Sequence, residues 1–378
     1  MDVAVLAGGR SPEHDISLAS ARQVLTHLDR SRWRVWPVYI DREGRFWPAR
    51  EPLAAAASWQ PEAGATGQAM RPGAALEYLL DHAQVEIVFP VLHGPFGEDG
   101  TVQGMLELYG LPFVGSGCAA SAVAMDKLRT RQVFAANDLP LATEYLSGVP
   151  VGELGGCADE EFARMIAATS LPCYAKVDNS GSSRGVARIT DRADFERFLR
   201  SHAGCDRRWL AEAEVTGEEI TVAVLGNRGD SLQALPVVGI YPRFSDHFDE
   251  RAKYDPDACE ELVPPKFLSA EQGEHAQEIA RTCHRELGCD GMSRTDMIWT
   301  SAGPVVLETN TIPGLTETSL LPQAAAAAGI GFPQLLDRLL QLGLACHRRP
   351  SSANDRSADG PSATMEAGAT GSGAAPSS

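Results

Sequence analysis

The sequence has no C-x-x-C pair and no regular spacing among its eight cysteines. Several, such as Cys173 and Cys289, lie inside apolar segments and read as reduced core thiols. It has no excess of positive charge: 33 Lys and Arg against 50 Asp and Glu give a net charge of −17. Nucleic acid and anionic membrane surfaces are therefore excluded as partners for the bulk of the chain, and any anionic ligand must be held by a local cluster. No apolar run reaches transmembrane length. The opening residues enter a strand pattern at once, without a basic n-region or a cleavable apolar segment, so the expectation is a cytoplasmic, soluble enzyme or binding protein. There are no internal repeats. There is also no G-x-x-x-x-G-K-[ST], which excludes a P-loop NTPase, and the Gly8-Gly9 turn lacks the third glycine of the dinucleotide fingerprint.

What is present is enough chain for two or three domains, 378 residues of which 44% are apolar. The strand pattern at 3–7 runs into Gly8-Gly9-Arg10-Ser11-Pro12-Glu13-His14-Asp15-Ile16-Ser17, then a helix carrying Leu18, Val24, Leu25 and Leu28. Strands follow at 34–40 and 85–92, the second delivering His93-Gly94-Pro95-Phe96-Gly97-Glu98-Asp99-Gly100. The first ~115 residues thus predict a small parallel α/β domain whose loops leave from strand C-termini, where open α/β sheets bind ligands. Helices at 119–124 and 126–137 place Lys127 at a helix start. The strand 173–177 carries Lys176 into the loop Asp178-Asn179-Ser180-Gly181-Ser182-Ser183-Arg184-Gly185. Such a loop is commonly only a flexible hairpin; with a lysine just before it, the small-residue amides and a cation suit an anion together. The polar stretch 241–265, which contains Lys253 and Tyr254, is expected to be an irregular functional lid.

The most informative stretch is a pair of strands. Met292 to Trp299 carries Arg294 and Asp296, and Val305 to Asn310 carries Glu308 and Asn310; a short turn-forming link joins them. Period-two alternation puts each pair on one face, and a turn centred near Ala302 sets Asp296 opposite Glu308 and Arg294 opposite Asn310. On these residues alone the face is either a solvated charged surface or a magnesium site built from carboxylate and amide oxygens. The Pro313-Gly314 break directly after Asn310 favours the second, because it exposes backbone N–H groups beside the oxygens.

In their order along the chain these motifs resemble the D-alanine–D-alanine ligases of the ATP-grasp superfamily, over most of residues 1–345. The resemblance rests on 8–17, the His93 loop, Met125-Asp126-Lys127, Gly181-Ser182-Ser183, Lys253-Tyr254, Arg294-x-Asp296 and Glu308-x-Asn310 with Pro313-Gly314. It implies an α/β ATP-grasp fold with an N-terminal parallel α/β domain at 1–117, central α+β domain at 118–213 and C-terminal α+β domain at 214–345, followed by a tail at 346–378. It implies ATP-dependent joining of two D-alanines through a D-alanyl phosphate, with a D-lactate or D-serine ligase, or another ATP-grasp amino-acid ligase, as the alternative. Under it Asp296, Glu308 and Asn310 hold two magnesium ions, for which manganese substitutes. Lys127, Lys176, Lys253, Ser180 and Ser183 contact ATP phosphates or close over them, and Glu212 and Glu219 take the adenine amino group or ribose hydroxyls. Arg294 and the Gly314 N–H stabilise the tetrahedral oxyanion. Glu13 takes the first ammonium, with Ser182 and Tyr254 closing the lid; His93, Ser319 and the Leu320 backbone bind substrate carboxylates. D-alanine and ATP are the expected partners, in a homodimer without nucleic acid or membrane insertion. The sequence departs from the family pattern at Val177, where proline is usual, at Arg184, where a small apolar residue is usual, and in the less apolar hinge Ala213-Glu214-Val215.

The tail after residue 345 is Ser, Ala, Gly and Pro with scattered charges, which cannot form a core and is expected to be disordered. Truncation at Arg349 should leave melting temperature and activity unchanged; a large drop in either on thermal scanning or assay would show that the tail contributes to the fold.

Overall fold

The buried run β1 (Asp2–Gly8) forms the middle of the first sheet because every one of its side chains is covered. It pairs in parallel with β2 (Arg34–Ile40) and β4 (Ile87–Val91), and β3 (Phe46–Pro48) adds an antiparallel edge, giving the order β3-β2-β1-β4. Both faces are buried, as a parallel sheet requires. Val3, Val5 and Ala7 face α1 (His14–His27), while Ala4 and Leu6 share a core with residues of α2 (Pro72–Asp81) and α3 (Thr101–Leu108). Gly8 ends β1 at φ +94°, and a Cβ there would lie 2.3 Å from the Ile40 carbonyl oxygen. Only glycine makes that turn. The computed structural model describes residues 1–54, 59–61, 68–178, 185–242, 259–316 and 318–348.

Two helices, α4 (Cys118–Met125) and α5 (Lys127–Ala136), lead into an antiparallel second sheet. Its strands are β5 (Glu144–Leu146), β6 (Cys173–Val177), β7 (Val186–Ile189) and β8 (Trp209–Ala213), in the order β5-β8-β6-β7. A 3-10 turn (Val151–Gly156), α6 (Ala158–Thr169) and α7 (Arg192–Ser201) complete a core of Trp209, Phe195, Phe198 and Met165.

The third sheet runs β12-β11-β9-β13-β14, with β10 (Gln233–Ala234) also paired to β9. Its strands are β9 (Glu218–Leu225), β11 (Val238–Pro242), β12 (Cys259–Leu262), β13 (Met292–Thr300) and β14 (Gly303–Asn310). One face, with Ile220, Val222, Met297 and Val306, packs on Ala276, Ile279, Ala280 and Cys283 of α8 (Ala270–Glu286). That helix starts at a capping box in which Ser269 and Gln272 satisfy each other's backbone N–H groups. The final helices, α9 (Leu320–Ala327) and α10 (Phe332–Arg348), return to the start of the chain. Leu335, Leu336, Leu339 and Leu340 share one core with β1 and α1, and Trp33 Nε1 donates to Asp337 at 3.1 Å.

The expected irregular stretch at 241–265 is corrected in part: it contains the end of β11 and all of β12, and residues 243–258 lie outside the described set. The elements β3, α2, α7 and β10 also add to those expected. The expected tail disorder falls on residues 349–378, which are not described.

His284 on α8 is fully buried, its Nδ1 2.7 Å from Ser293 Oγ. Burial lowers its pKa to about 4. The unfolded chain, with a histidine near pKa ~6.5, binds this proton more readily than the folded chain between those values. Stability contributed by the neutral imidazole is full above pH ~6.5 and is lost as pH falls toward 4, by roughly 3 kcal/mol. His284→Gln should flatten the loss of unfolding free energy over that window in denaturant titrations. A constant difference between the two proteins at every pH would contradict this.

Candidate active site

Strand β13 lies between β9 and β14, and its alternation decides what faces the site. Arg294, Asp296 and Ile298 point one way, while Thr295 and Met297 point into the α8 core. Asp296 pairs with Glu308 and Arg294 with Asn310, as the sequence predicts, but the cause differs. The hairpin turn is the two-residue Ser301-Ala302 link, with Thr300 opposite Gly303, and that register alone would bring Leu307 opposite Asp296. A bulge between Asp296 and Met297 on the β13 side, absorbed at Leu307 on β14, advances the ladder by one residue. Glu308 consequently takes the site face, and Thr309 turns inward to pair with Thr295, their hydroxyls 2.9 Å apart.

Arg294 grips Asp296 with both arms, Nε to Oδ1 at 2.9 Å and Nη2 to Oδ2 at 2.8 Å. Thr221 on β9 donates to the same Asp296 Oδ1 at 2.6 Å. Burial disfavours the guanidinium charge, yet Asp296, Glu308 and Glu98 together hold its pKa above the ordinary arginine value. Lys127 Nζ lies 3.6 Å from Glu308 Oε2. Asn310 Oδ1 accepts the Ile312 N–H at 2.8 Å, which fixes the amide as the chain enters the Pro313-Gly314 turn. Among the described residues no group of three or more His, Cys, Asp and Glu is placed to hold a metal. The Asp296, Glu308 and Asn310 set instead offers two carboxylates and an amide on one face of a strand pair, an all-oxygen donor set of the kind magnesium takes. Glu219 lies two residues before Thr221 on β9, on the same face and opposite Ile298.

The second sheet supplies the lysines' surroundings. Asp126 caps α5 by accepting the Arg129 N–H at 2.8 Å, and the Lys127 N–H donates to Asp178 at 3.0 Å. Arg208 spans Asp126 and Asp178 at 2.8 Å each, tying the start of α5 to the end of β6. Lys176 donates to one oxygen of Glu212, and Arg131 donates to the other. Burial opposes ionisation of Glu212, but Lys176 and Arg131 outweigh it and hold the carboxyl below its usual range.

The first sheet and the loops that leave it close the arrangement. The Glu13 backbone N–H donates to Ser11 Oγ at 3.1 Å, just before α1. Gly94 has φ +71°, and a Cβ there would fall 2.4 Å from Glu13 Oε2, so glycine lets the His93 loop pass against the carboxylate. His93 is buried with Nε2 3.2 Å from Ser20 Oγ and Nδ1 3.5 Å from Glu98. Burial raises the Glu98 pKa above the usual carboxylate value; contact with His93 opposes the rise and nearby Glu13 adds to it. Ser20 also accepts the Leu315 N–H at 3.5 Å, so α1 touches both the His93 loop and the turn after β14. Ser319 precedes α9, with its hydroxyl 3.1 Å from the Thr316 N and close against Gly314, where a Cβ would be 2.7 Å away.

Glu13, His93, Lys127, Lys176, Glu212, Glu219, Arg294, Asp296, Glu308, Asn310, Gly314, Ser319 and Leu320 are thus placed by the fold. Ser180, Ser182, Ser183, Lys253 and Tyr254 lie outside the described residues. Sequence reasoning did not single out Thr221, Arg131 or Ser20. Thr221 was within reach, since it alternates with Glu219 on a recognisable strand. Arg131 stands four residues after Lys127 and so shares its helix face, but nothing local marks what it meets.

Two family models match this chain, that of the D-ala D-ala ligase N-terminus over residues 2–116 and that of the D-ala D-ala ligase C-terminus over 146–341. A D-alanine–D-alanine ligase of Syntrophobacter fumaroxidans is 39% identical over 346 residues, covering 91% of this chain and 98% of that protein. The VanG D-Ala:D-Ser ligase of Enterococcus faecalis superposes with TM-score 0.72 at 28% identity, over 90% of this chain and 99% of that one. The Bacillus anthracis D-alanine–D-alanine ligase complexed with ATP gives TM-score 0.68 at 25% identity, over 92% and 98%. The chain shares the overall fold of these ligases, which is the ATP-grasp fold. The chain belongs to the D-alanine–D-alanine ligase family.

Proposed function

We propose that this protein joins two D-alanines into D-alanyl-D-alanine, cleaving ATP and passing through D-alanyl phosphate, to supply a precursor of peptidoglycan. The observation that carries the reading is the shared face on which Arg294, Asp296, Glu308 and Asn310 meet, with Lys127 reaching Glu308 from another element. Transfer of a phosphoryl group to a carboxylate brings like charges together, so a site for it needs cations and oxygen-bound metal in one place. Lys127 and Lys176 are assigned to ATP phosphates. Glu212 and Glu219 are assigned to the adenine or ribose, and Ser180, Ser183 and Lys253 to closure over the phosphates. Glu13 takes the ammonium of the first D-alanine, with Ser182 and Tyr254 as its lid. His93, Ser319 and the Leu320 backbone take substrate carboxylates. Arg294 and the Gly314 N–H face the oxyanion formed when the second amine attacks.

Asp296, Glu308 and Asn310 would hold magnesium, with manganese as a substitute. The ions would supply charge neutralisation between the phosphates and the incoming carboxylate. A homodimer and a cytoplasmic location complete the reading. Leu108, 89% exposed on α3, is one apolar side chain that a dimer contact would cover.

Curated relatives matched over nearly their whole length are D-alanine–D-alanine ligases, which favours D-alanine over D-serine or D-lactate as second substrate. Phosphate release from ATP against a panel of D- and L-amino acids and D-lactate tests this. Release should require D-alanine and should yield D-alanyl-D-alanine by mass spectrometry. Greater turnover with D-serine or D-lactate in the second site, or none with D-alanine, would overturn it.

Glu308→Gln keeps size and removes a charge from the proposed metal set. D-alanine-dependent phosphate release should fall by about a hundredfold or more, since metal charge stabilisation is worth several kcal/mol. Unchanged turnover would remove Glu308 from the metal set.

A further inference from the structure

Arg131 is 4% exposed and makes three polar contacts with three different partners. Its Nε donates to Glu144, its Nη1 to Glu212 and its Nη2 to the Ala142 carbonyl at 2.7 Å. Glu144 and Glu212 face each other directly across the β5–β8 ladder. Two like charges in that position repel, so the pair is tolerated only with cations beside it. Arg131 and Lys176 both bond Glu212, Lys176 at its second oxygen, and Lys127 also acts electrostatically on that carboxylate. Glu212 is itself 6% exposed, so water cannot replace a departing partner cheaply.

These contacts set a condition on Lys176. To meet a phosphate it must loosen its hold on Glu212, and the carboxylate left behind must keep another cation. We propose that Arg131 is a positioning residue for nucleotide binding: by holding Glu144 and Glu212 together it releases Lys176 to the ATP phosphates. Without Arg131, Lys176 takes over most of the charge balance of two carboxylates, with Lys127 acting on Glu212 only through its field, and stays pinned. Arg131 lies on the helix that begins with Lys127, so one face of α5 carries both a phosphate lysine and the arginine that frees the other. The inference rests on the assignment of Lys176 to phosphate made above.

The test compares the parent with Arg131→Met, Arg131→Lys, Lys176→Met and the double variant Arg131→Met/Glu144→Gln. The readouts are the ATP dissociation constant by calorimetry, KM for ATP, KM for D-alanine, and melting temperature. Arg131→Met should weaken ATP binding by about tenfold, the scale on which losing one charge-paired contact is felt, with KM for D-alanine within about twofold of the parent. Adding Glu144→Gln should recover part of the ATP binding, because Lys176 then faces one charged carboxylate across the β5–β8 ladder instead of two. A merely structural arginine predicts no such recovery. If Arg131→Met does not fold, Arg131→Lys keeps the charge but loses the fork, and ATP binding weakened by about threefold supports the proposal. Parental ATP affinity in the folded arginine variant, or loss in Arg131→Met that the Gln substitution leaves untouched, overturns it. Parental affinity in Lys176→Met overturns the phosphate assignment of Lys176 and the proposal with it. Weak binding there with a parental Arg131→Met overturns the proposal alone.

Discussion

The two-armed contact between Arg294 and Asp296 is the constraint on which the rest of the site depends. Both residues belong to the strand at the heart of the third sheet, and each has its neighbour fixed by a ladder rather than by a loop. A slip of one residue would turn Arg294, Asp296, Glu308 and Asn310 into the apolar face that packs on α8, where none could find partners. The burial of Met297, Val306 and Thr309 on that other face therefore specifies the polar face as firmly as any polar contact does. The single bulge at Leu307 lets a two-residue turn coexist with the pairing of Asp296 and Glu308.

Around this hairpin, the other two sheets contribute by short ties. Ser20 connects α1 to both His93 and the turn after β14, which ties the His93 loop, against which Glu13 rests, to the segment that follows Gly314. Arg208 and Asp178 fasten the start of α5 to β6, so Lys127 and Lys176 are set relative to each other before any ligand arrives. The first and last parts of the chain share one apolar core through α1 and α10. A preformed cluster of this kind leaves less ordering to be done when substrates bind.

Much of this was legible in the sequence for a physical reason. Runs rich in apolar and β-branched residues marked the strands at 34–40 and 173–177 to the residue. Alternation on β13 and β14 gave the site pairs. What escaped had weak local signal: β3 is three residues long, β12 is Cys-Glu-Glu-Leu with two charges in four residues, and α7 buries only Phe195 and Phe198 amid charged neighbours. The bulge is invisible because it depends on how turn length and face burial are reconciled. Glu212 shows the same limit from the other side. In sequence it is a carboxylate available to a ligand; in the fold it is buried between Lys176 and Arg131, and one of those cations is 81 residues distant along the chain.

The most direct measurement follows oxygen through the reaction. If the carboxylate of one D-alanine attacks the γ-phosphorus of ATP, its oxygen becomes the bridge of an acyl phosphate and leaves with phosphate when the second amine forms the amide. Turnover of D-alanine labelled with ¹⁸O in its carboxylate should therefore give inorganic phosphate carrying one ¹⁸O per dipeptide formed. Dipeptide formed with unlabelled phosphate would contradict the acyl phosphate route and the ligase account built on it.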